Sequence, residues 1–351
     1  MGAVTNLNGL TDAKFVCAGR ELSFVIDNSG KLRAAHRTYA TEFSVADVSV
    51  KFKSAVSHDD PYDGNCVCFV IDENDDLWRV EKPTPRLCPS RAFLFTDVTT
   101  KPELQLKKVG LKAKSISSSG SKIACVSPEG ILYFWSTEVG LNSRGKLEKI
   151  KPAQIETSEE ITQVAVGTDH LLALGISGTV YSSGKNTLGQ LGRSPRLRPN
   201  SLRHLFEIDL SENVIQIATG GPHSVALAAS GLVYVWGKDL TTQRIIKRPT
   251  CVDLLSDNQI LIKSISLAEG CKYGAVNAST EPYTPYILAL TEDNQVYAWG
   301  KDSMGKCGVV DATGIGFSFL VFFCRTAPLF WYYTCTYVNT PKMKTRYKRI
   351  C

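Results

Sequence analysis

The chain has 351 residues, 43% apolar and 21% charged, a globular composition with apolar residues enough for a substantial core. Its formal net charge of +6 falls well short of a histone-like or polybasic protein. Eleven cysteines, an odd number with no CxxC pair, argue against a disulfide scaffold. Cys17, Cys68 and Cys125 sit inside apolar, strand-like runs and are expected as reduced, buried thiols. The start "MGAVTNLNGL" lacks the basic and apolar regions of a secretory leader, and Asn6 breaks the myristoylation pattern. The triplet Asn277-Ala278-Ser279 means little without secretion, so the expected location is cytoplasmic or nuclear.

Taken in chain order, the sequence is a run of short hairpins. "LSFVIDNSGKLRA" (Leu22 to Ala34) and "CFVIDENDDLWRV" (Cys68 to Val80) each read as apolar run, polar turn, apolar run. "SISSSGSKIACVSPEGILYFWS" follows, within residues 113–136, with Gly120, Gly130, Tyr133 and Trp135. "ITQVAVGTDHLLALGISGTVYSSGKNTLGQLG" spans 161–192, and "VIQIATGGPHSVALAASGLVYVWGK" spans 214–238. Shifted by 53 residues, these two superpose Gln163 on Gln216, Gly167 on Gly220, His170 on His223, Gly178 on Gly231, Tyr181 on Tyr234 and Lys185 on Lys238. A further copy covers 264–308, with Ala268, Gly270, Tyr297, Gly300 and Lys301 in register and "NASTEPYTP" inserted.

The turns near Gly30, Asp76, Gly130, Gly178, Gly231 and Asn294 recur about every 45–65 residues, and their residue types supply tight hairpins. One hairpin cannot bury its apolar face alone, so such units must stack. The expected fold is all-β, a β-propeller of six to seven four-stranded blades over residues 1–310, with ring closure left open.

The motifs G-x-x-H before an apolar triplet, S-G-x-V-Y, W-G-K, and "GQLG" at Gly189 to Gly192 resemble the regulator of chromosome condensation repeat superfamily. That resemblance implies a seven-bladed propeller, of which six hairpin units are visible. The family's N-x-x-G-Q-L-G ending is intact once; after Lys238 stands "DLTTQRIIKRP" and after Lys301 "DSMGKCG".

"GTVYSSGK" (Gly178 to Lys185) is no P-loop. It has five residues between the glycines where four are needed, Asn186 in place of Ser or Thr, and no helix after it. Asp169 and His170 lack a nucleophile or further ligands nearby, and no HExxH or Cys/His cluster occurs, so neither enzyme chemistry nor a cofactor or small-molecule substrate is expected. His170 and His223 recur at one repeat position, as packing residues do. In GTPase-regulating relatives, the resemblance implies, this G-x-D-H stretch lines one propeller face. Asp169, His170 and His223 are therefore the candidate partner-binding face, thinned by Gly221 and Pro222 in the second copy. Trp135, Trp236 and Trp299 recur before the blade-ending Gly or Ser and read as inter-blade packing. Arg193, Arg196, Arg198 and Arg203, with Arg244, Lys247 and Arg248, occupy equivalent inter-blade segments and form a candidate basic rim.

From about Val310 the repeat signals stop. Within residues 311–351, the aromatic stretch after Asp311 is uncharged except for Arg325 and is followed by five Lys and Arg. A diverged last blade, a tail anchor and a segment foreign to the blades, as from a divergent splice form, all remain open. The expected function is a non-enzymatic protein-binding scaffold. The resemblance implies regulation of a small GTPase, with guanine nucleotide exchange as its sharpest form. The alternatives are chromatin or nucleic-acid association through the basic rim, and membrane tethering through the tail.

Overall fold

Six short turns, each with one residue at positive φ, organise the chain. In the computed structural model these residues are Gly30 (83°), Asp75 (67°), Gly130 (81°), Gly178 (87°), Gly231 (86°) and Asn294 (62°). Glycine adopts this conformation without a Cβ penalty, and Asp and Asn tolerate it because their short side chains bond locally. The left-handed residue of the second turn is Asp75, one before the Asp76 expected from sequence. Four turns are closed by a side chain three residues before the left-handed one: Asp27 accepts from the Ser29 and Lys31 amides, and Asp72 from those of Asn74 and Asp76. Ser127 and Thr291 do the same for Ile131 and Gln295.

The structure describes residues 13–18, 22–36, 49–59, 66–81, 105–136, 139–141, 147–149, 152–193, 204–240, 244–252, 255, 260–267, 286–300 and 322–323. Blade 1 holds β1 (Ala13–Ala18), β2 (Leu22–Asp27) and β3 (Leu32–His36). Blade 2 holds β4 (Phe52–Asp59), β5 (Cys66–Asp72), β6 (Asp76–Glu81) and β7 (Gln105–Lys112). In blade 3, β8 (Ser115–Ser119), β9 (Lys122–Val126) and β10 (Leu132–Ser136) lead to a ribbon of β11 (Val139–Leu141) and β12 (Leu147–Lys149). The chain then returns as β13 (Ala153–Ile155) to the outer edge beside β10. Blade 4 is β14 (Ile161–Val166), β15 (His170–Gly175), β16 (Val180–Gly184) and β17 (Phe206–Glu207). Blade 5 is β18 (Val214–Gly220), β19 (His223–Ala228), β20 (Val233–Lys238) and β21 (Ile245–Cys251). Blade 6 is β22 (Ile262–Leu267), β23 (Tyr286–Thr291), β24 (Gln295–Gly300) and β25 (Phe322–Phe323).

All the sheets are antiparallel; five blades have four strands, and the first has three among the described residues. Each inner strand packs on the next, β1 on β4, β4 on β8, β8 on β14, β14 on β18 and β18 on β22. The fold is the expected all-β propeller, with six blades among the described residues where the resemblance implied seven. Phe322 and Phe323 pair with Val296 and Gln295, so two residues from beyond position 311 supply an outer strand of blade 6. The aligned Ala268, Gly270 and Lys301 lie outside the described residues.

No blade owns its core. The five apolar clusters are each shared by two neighbours: Phe24, Leu32, Phe52 and Val70 join blades 1 and 2, and Ile71, Leu77, Ile123 and Cys125 join 2 and 3. Ile155, Ile161 and Leu171 join 3 and 4, Leu172, Ile217 and Trp236 join 4 and 5, and Leu227, Ile262 and Ile287 join 5 and 6. Second strands such as "HLLALG" and "HSVALA" are therefore buried on both faces, which explains their continuous apolar character. The tryptophans serve this packing. Trp236 is buried in the fourth junction, and Trp135 meets Phe69 of blade 2 edge-on with centroids 5.9 Å apart. The Trp299 side chain lies outside the described residues. Cys68 and Cys125 are buried as expected, Cys17 partly so, and burial pushes the Cys125 thiol up to about 12.

Hydrogen bonds mark the five junctions among the described residues. The amides of Phe52, Ile161, Val214 and Ile262, at the start of their inner strands, and of Ala113, two residues before β8, donate to the carbonyls of Gly30, Gly130, Gly178, Gly231 and Asp75 respectively. A Cβ on Gly178 would stand 2.8 Å from Asn213 Cβ, and one on Gly130 2.7 Å from Glu160 Cβ. Gly120 also has positive φ (59°) but nothing within 4 Å of its would-be Cβ. Gly178→Ala is therefore expected to cost about 2–4 kcal/mol and Gly120→Ala only about 1, the difference being the clash across the junction. Urea unfolding of the two variants checks this; equal losses would assign the whole cost to φ.

Candidate functional site

Because neighbouring strands alternate in direction, the tight turns between second and third strands lie on one face, here the turn face. The first-to-second and third-to-fourth connections emerge on the other, the loop face. The G-x-D-H stretch is the first-to-second loop of blade 4, between β14 and β15. It has to be tight: a Cβ on Gly167 would stand 2.3 Å from His170 Cε1 and 2.8 Å from the Gly221 carbonyl oxygen. Thr168 donates its amide to that same Gly221 oxygen at 3.1 Å, tying the loops of blades 4 and 5.

Asp169 is partly exposed, 28% at its side chain, and lies between two lysines: Lys122 Nζ at 3.4 Å and Lys185 Nζ at 3.5 Å. Lys122 begins β9 of blade 3 and also donates to the Thr168 carbonyl. Three blade elements thus converge on one carboxylate. At this exposure the ion pairs contribute about 0–1 kcal/mol, so their main effect is to fix the loop and its charge.

His170 is completely buried. Its Nε2 lies 2.8 Å from Ser224 Oγ, and Ser224 donates its only hydroxyl proton to the Gln190 carbonyl at 2.9 Å. Nε2 must therefore carry the imidazole proton and donate it. Trp236 Nε1 donates to the same Gln190 carbonyl at 3.0 Å, so Gln190 collects two donors from blade 5 while His170 reaches in from blade 4. Nδ1 of His170 is buried without a hydrogen-bond partner. Burial, reinforced by the neighbouring His223, pulls the His170 pKa down to about 3. His223 is also buried; it donates from Nδ1 to the Lys238 carbonyl, and burial pulls it to about 4. Of the three predicted face residues, Asp169 is the one at the surface.

The segment Asn186–Arg193 explains the "GQLG" ending. Asn186 Oδ1 accepts the Leu191 amide at 3.0 Å and Gln190 Oε1 accepts that of Leu188 at 2.8 Å, folding the segment on itself. Gly189 lies against β21 of blade 5, where a Cβ would come within 2.7 Å of the Ile246 carbonyl oxygen. The lysine of "GTVYSSGK" pairs with Asp169, and its glycines belong to a turn and a strand end.

The basic rim is divided. Arg193 is half-buried, its guanidinium 4.5 Å over the Phe206 ring and its Nε donating to Ser182 Oγ at 3.2 Å. Arg244, Lys247 and Arg248 are exposed at or on β21, an outer strand whose Pro249 cannot donate to a further strand. Arg196, Arg198 and Arg203 lie outside the described residues. Sequence alone missed Lys122, Ser224 and Gln190. Lys122 belongs to the weakest aligned copy, and the other two act through partners a blade away. Among the described residues no cluster of His, Cys, Asp or Glu has the makings of a metal site, and no helix is long and apolar enough to cross a membrane.

Comparison with known proteins identifies the repeat. Two models described as "Regulator of chromosome condensation (RCC1) repeat" match residues 161–190 and 177–227. Protein pim1 of Schizosaccharomyces pombe is 31% identical over 219 residues, covering 57% of this chain and 37% of pim1. The secretion-regulating guanine nucleotide exchange factor of Bos taurus is 30% identical over 203 residues, covering 55% of this chain and 41% of its own length. The chain thus spans less than half the length of these relatives. Prp20p of Saccharomyces cerevisiae, studied for its binding to Gsp1p and histones, superposes with a TM-score of 0.59 at 16% identity. That superposition covers 84% of this chain and 73% of Prp20p, and it speaks for the fold.

The two buried histidines set a pH dependence. Both have folded pKa values below the usual 6.5, so the unfolded chain binds protons that the folded chain refuses. Their contribution is complete above pH 6.5 and is lost as the pH falls toward 4. Unfolding free energy measured by urea titration is expected to drop between pH 6.5 and 4.5, less steeply in His170→Gln. An unchanged slope in that variant would show that His170 is not the buried neutral base described.

Proposed function

Since the chain is a divergent member of the regulator of chromosome condensation repeat superfamily, we propose that it is a propeller regulator of a small GTPase, engaging it through the loop face at Asp169. The observation that carries the proposal is the placement of Asp169. It stands at the aspartate of the G-x-D-H stretch, is partly exposed, and is fixed from two sides by Lys122 and Lys185. An exchange factor performs no covalent chemistry. It binds the nucleotide-free GTPase more tightly than the loaded one, and a rigid face of preset charge suits that differential binding. The relatives point the same way, since one is named for nucleotide exchange and another was studied for binding Gsp1p.

The lysines beside Asp169, with the exposed Lys247 and Arg248 on the neighbouring outer strand β21, place positive charge next to this site. That charge also favours a second reading, contact with an acidic or phosphate-bearing chromatin component. The two readings part on salt: phosphate contacts give a steep, linear fall of log affinity with log salt, which neutralising Lys247 and Arg248 would flatten.

The test is release of labelled GDP from a panel of small GTPases. The chain is expected to accelerate release from at least one, and Asp169→Ala to reduce that acceleration about tenfold, the loss typical of a central interface residue. The folded state should change by less than about 1 kcal/mol, because the ion pairs are partly solvated. No acceleration across the panel, or acceleration indifferent to Asp169→Ala, would refute the proposal.

A further inference from the structure

The turn face changes character halfway round the propeller. From blade 2 onward a residue bonded to the preceding turn opens or just precedes each inner strand, and in blades 2, 4, 5 and 6 the next residue is bulged out of the ladder. The bulged residue is Lys14 in blade 1, Lys53 in blade 2 and Lys263 in blade 6, and Lys114 holds the equivalent place in blade 3. In blades 4 and 5 it is Thr162 and Ile215. The residue just before the turn-bonded one is Lys51 in blade 2 and Lys112 in blade 3, but Glu160, Asn213 and Leu261 in blades 4, 5 and 6. In the turns themselves, Glu73 of blade 2 corresponds to Ile176 of blade 4 and Ala229 of blade 5.

Ile176, Ile215 and Leu261 are 66%, 54% and 50% exposed, among the most exposed large apolar residues described. They lie on the same face of consecutive blades, and the junction hydrogen bonds tie together the segments that carry them. Ile176 donates its amide to the Glu160 carbonyl, Val214 beside Ile215 donates to Gly178 two residues past Ile176, and Ala229 donates to Asn213. Leu261 then closes on Gly231, where a Cβ would lie 3.0 Å from its own. The charges along this half are acidic: Glu156, Glu160, Asp209 and Glu292 are exposed on the same face, with Lys263 the opposing charge at the far end. Glu159 is partly enclosed there; burial raises its pKa, but bonds from Tyr181 and Ser177 outweigh burial and keep it low.

Apolar residues edged by carboxylates, at repeat positions where blades 2 and 3 carry lysine (for Ile215 and Leu261) or blade 2 carries glutamate (for Ile176), make a surface with a chemical preference. We propose that the turn face of blades 4 to 6 is a second docking surface, which takes an amphipathic partner segment carrying apolar residues flanked by Lys or Arg. Ile176, Ile215 and Leu261 bury the apolar side of that segment, and Glu160 with its neighbours selects its positive charge. The surface lies on the face opposite Asp169, so it holds such a segment while the loop face is occupied.

The test uses two fluorescein-labelled amphipathic helical peptides, one built from leucine and lysine and the other from leucine and glutamate. Fluorescence anisotropy is followed with the full chain, alone and carrying Ile215→Lys with Leu261→Lys. Those substitutions install the residues that blades 2 and 3 already carry, so the fold should be kept and thermal unfolding should not move. The leucine–lysine peptide is expected to bind the unaltered chain, and the double variant to weaken it by about tenfold or more. Glu160→Lys should weaken it further, with Asp169→Ala leaving it unchanged. Equal binding of both peptides, or of one peptide to both proteins, would overturn the proposal. So would concentration-dependent self-association abolished by the double variant, which would make a second copy of the chain the occupant.

Discussion

At each of five junctions the turn of one blade offers a carbonyl oxygen to an amide at or just before the start of the next inner strand, at 2.7 to 3.0 Å. This bond fixes the spacing of the propeller. It requires a left-handed residue at the turn, and where that residue is glycine the next blade fills the space a Cβ would take. It also sets the register in which side chains of adjacent blades interleave, so that every apolar cluster belongs to two blades. The bonds themselves contribute about 1 kcal/mol each; the larger contribution is the apolar burial they align. Side-chain clamps repeat the theme. Gln163 exchanges two hydrogen bonds with the backbone of Ile217, and Gln216 two with Ile265.

With the turn face locked in this way, the opposite ends of the strands are free to differ. The loop face carries the G-x-D-H stretch, and its order comes from polar contacts between blades: Lys122 to Asp169, Thr168 to Gly221, His170 to Ser224. A propeller divides its labour in this way between a repetitive scaffold and variable ends, which is why a binding surface can be rewritten without loss of the fold.

The repetitive part was the legible part. Turn residues and alternating apolar runs act within a few residues, so Gly30, Gly130, Gly178 and Gly231 announced their hairpins and the 53-residue shift announced the blades. Asp75 shows the limit, since "ENDDL" offers several residues able to adopt positive φ and composition does not choose between them. The site was harder to see. His170 was rightly placed as a recurring residue, but its bond to Ser224 spans 54 positions and depends on one blade meeting the next. Glu159 and Glu212, each receiving a hydrogen bond from a repeat tyrosine, escaped notice because they sit before the strands, where a carboxylate reads as solvated. The tail offered no pattern at all, and yet Phe322 and Phe323 pair with β24 through backbone groups that carry no side-chain signature.

If the turn-to-strand bonds hold the propeller together, the junctions open only when the whole propeller does. Native-state hydrogen exchange of the Ile161, Val214 and Ile262 amides measures this. The expected result is that these amides exchange with the free energy of global unfolding, in step with the amides of β15 and β19. Exchange of the three at a much smaller free energy, while β15 and β19 stay protected, would show that the blades are held by packing alone and that the turn-to-strand bond is incidental.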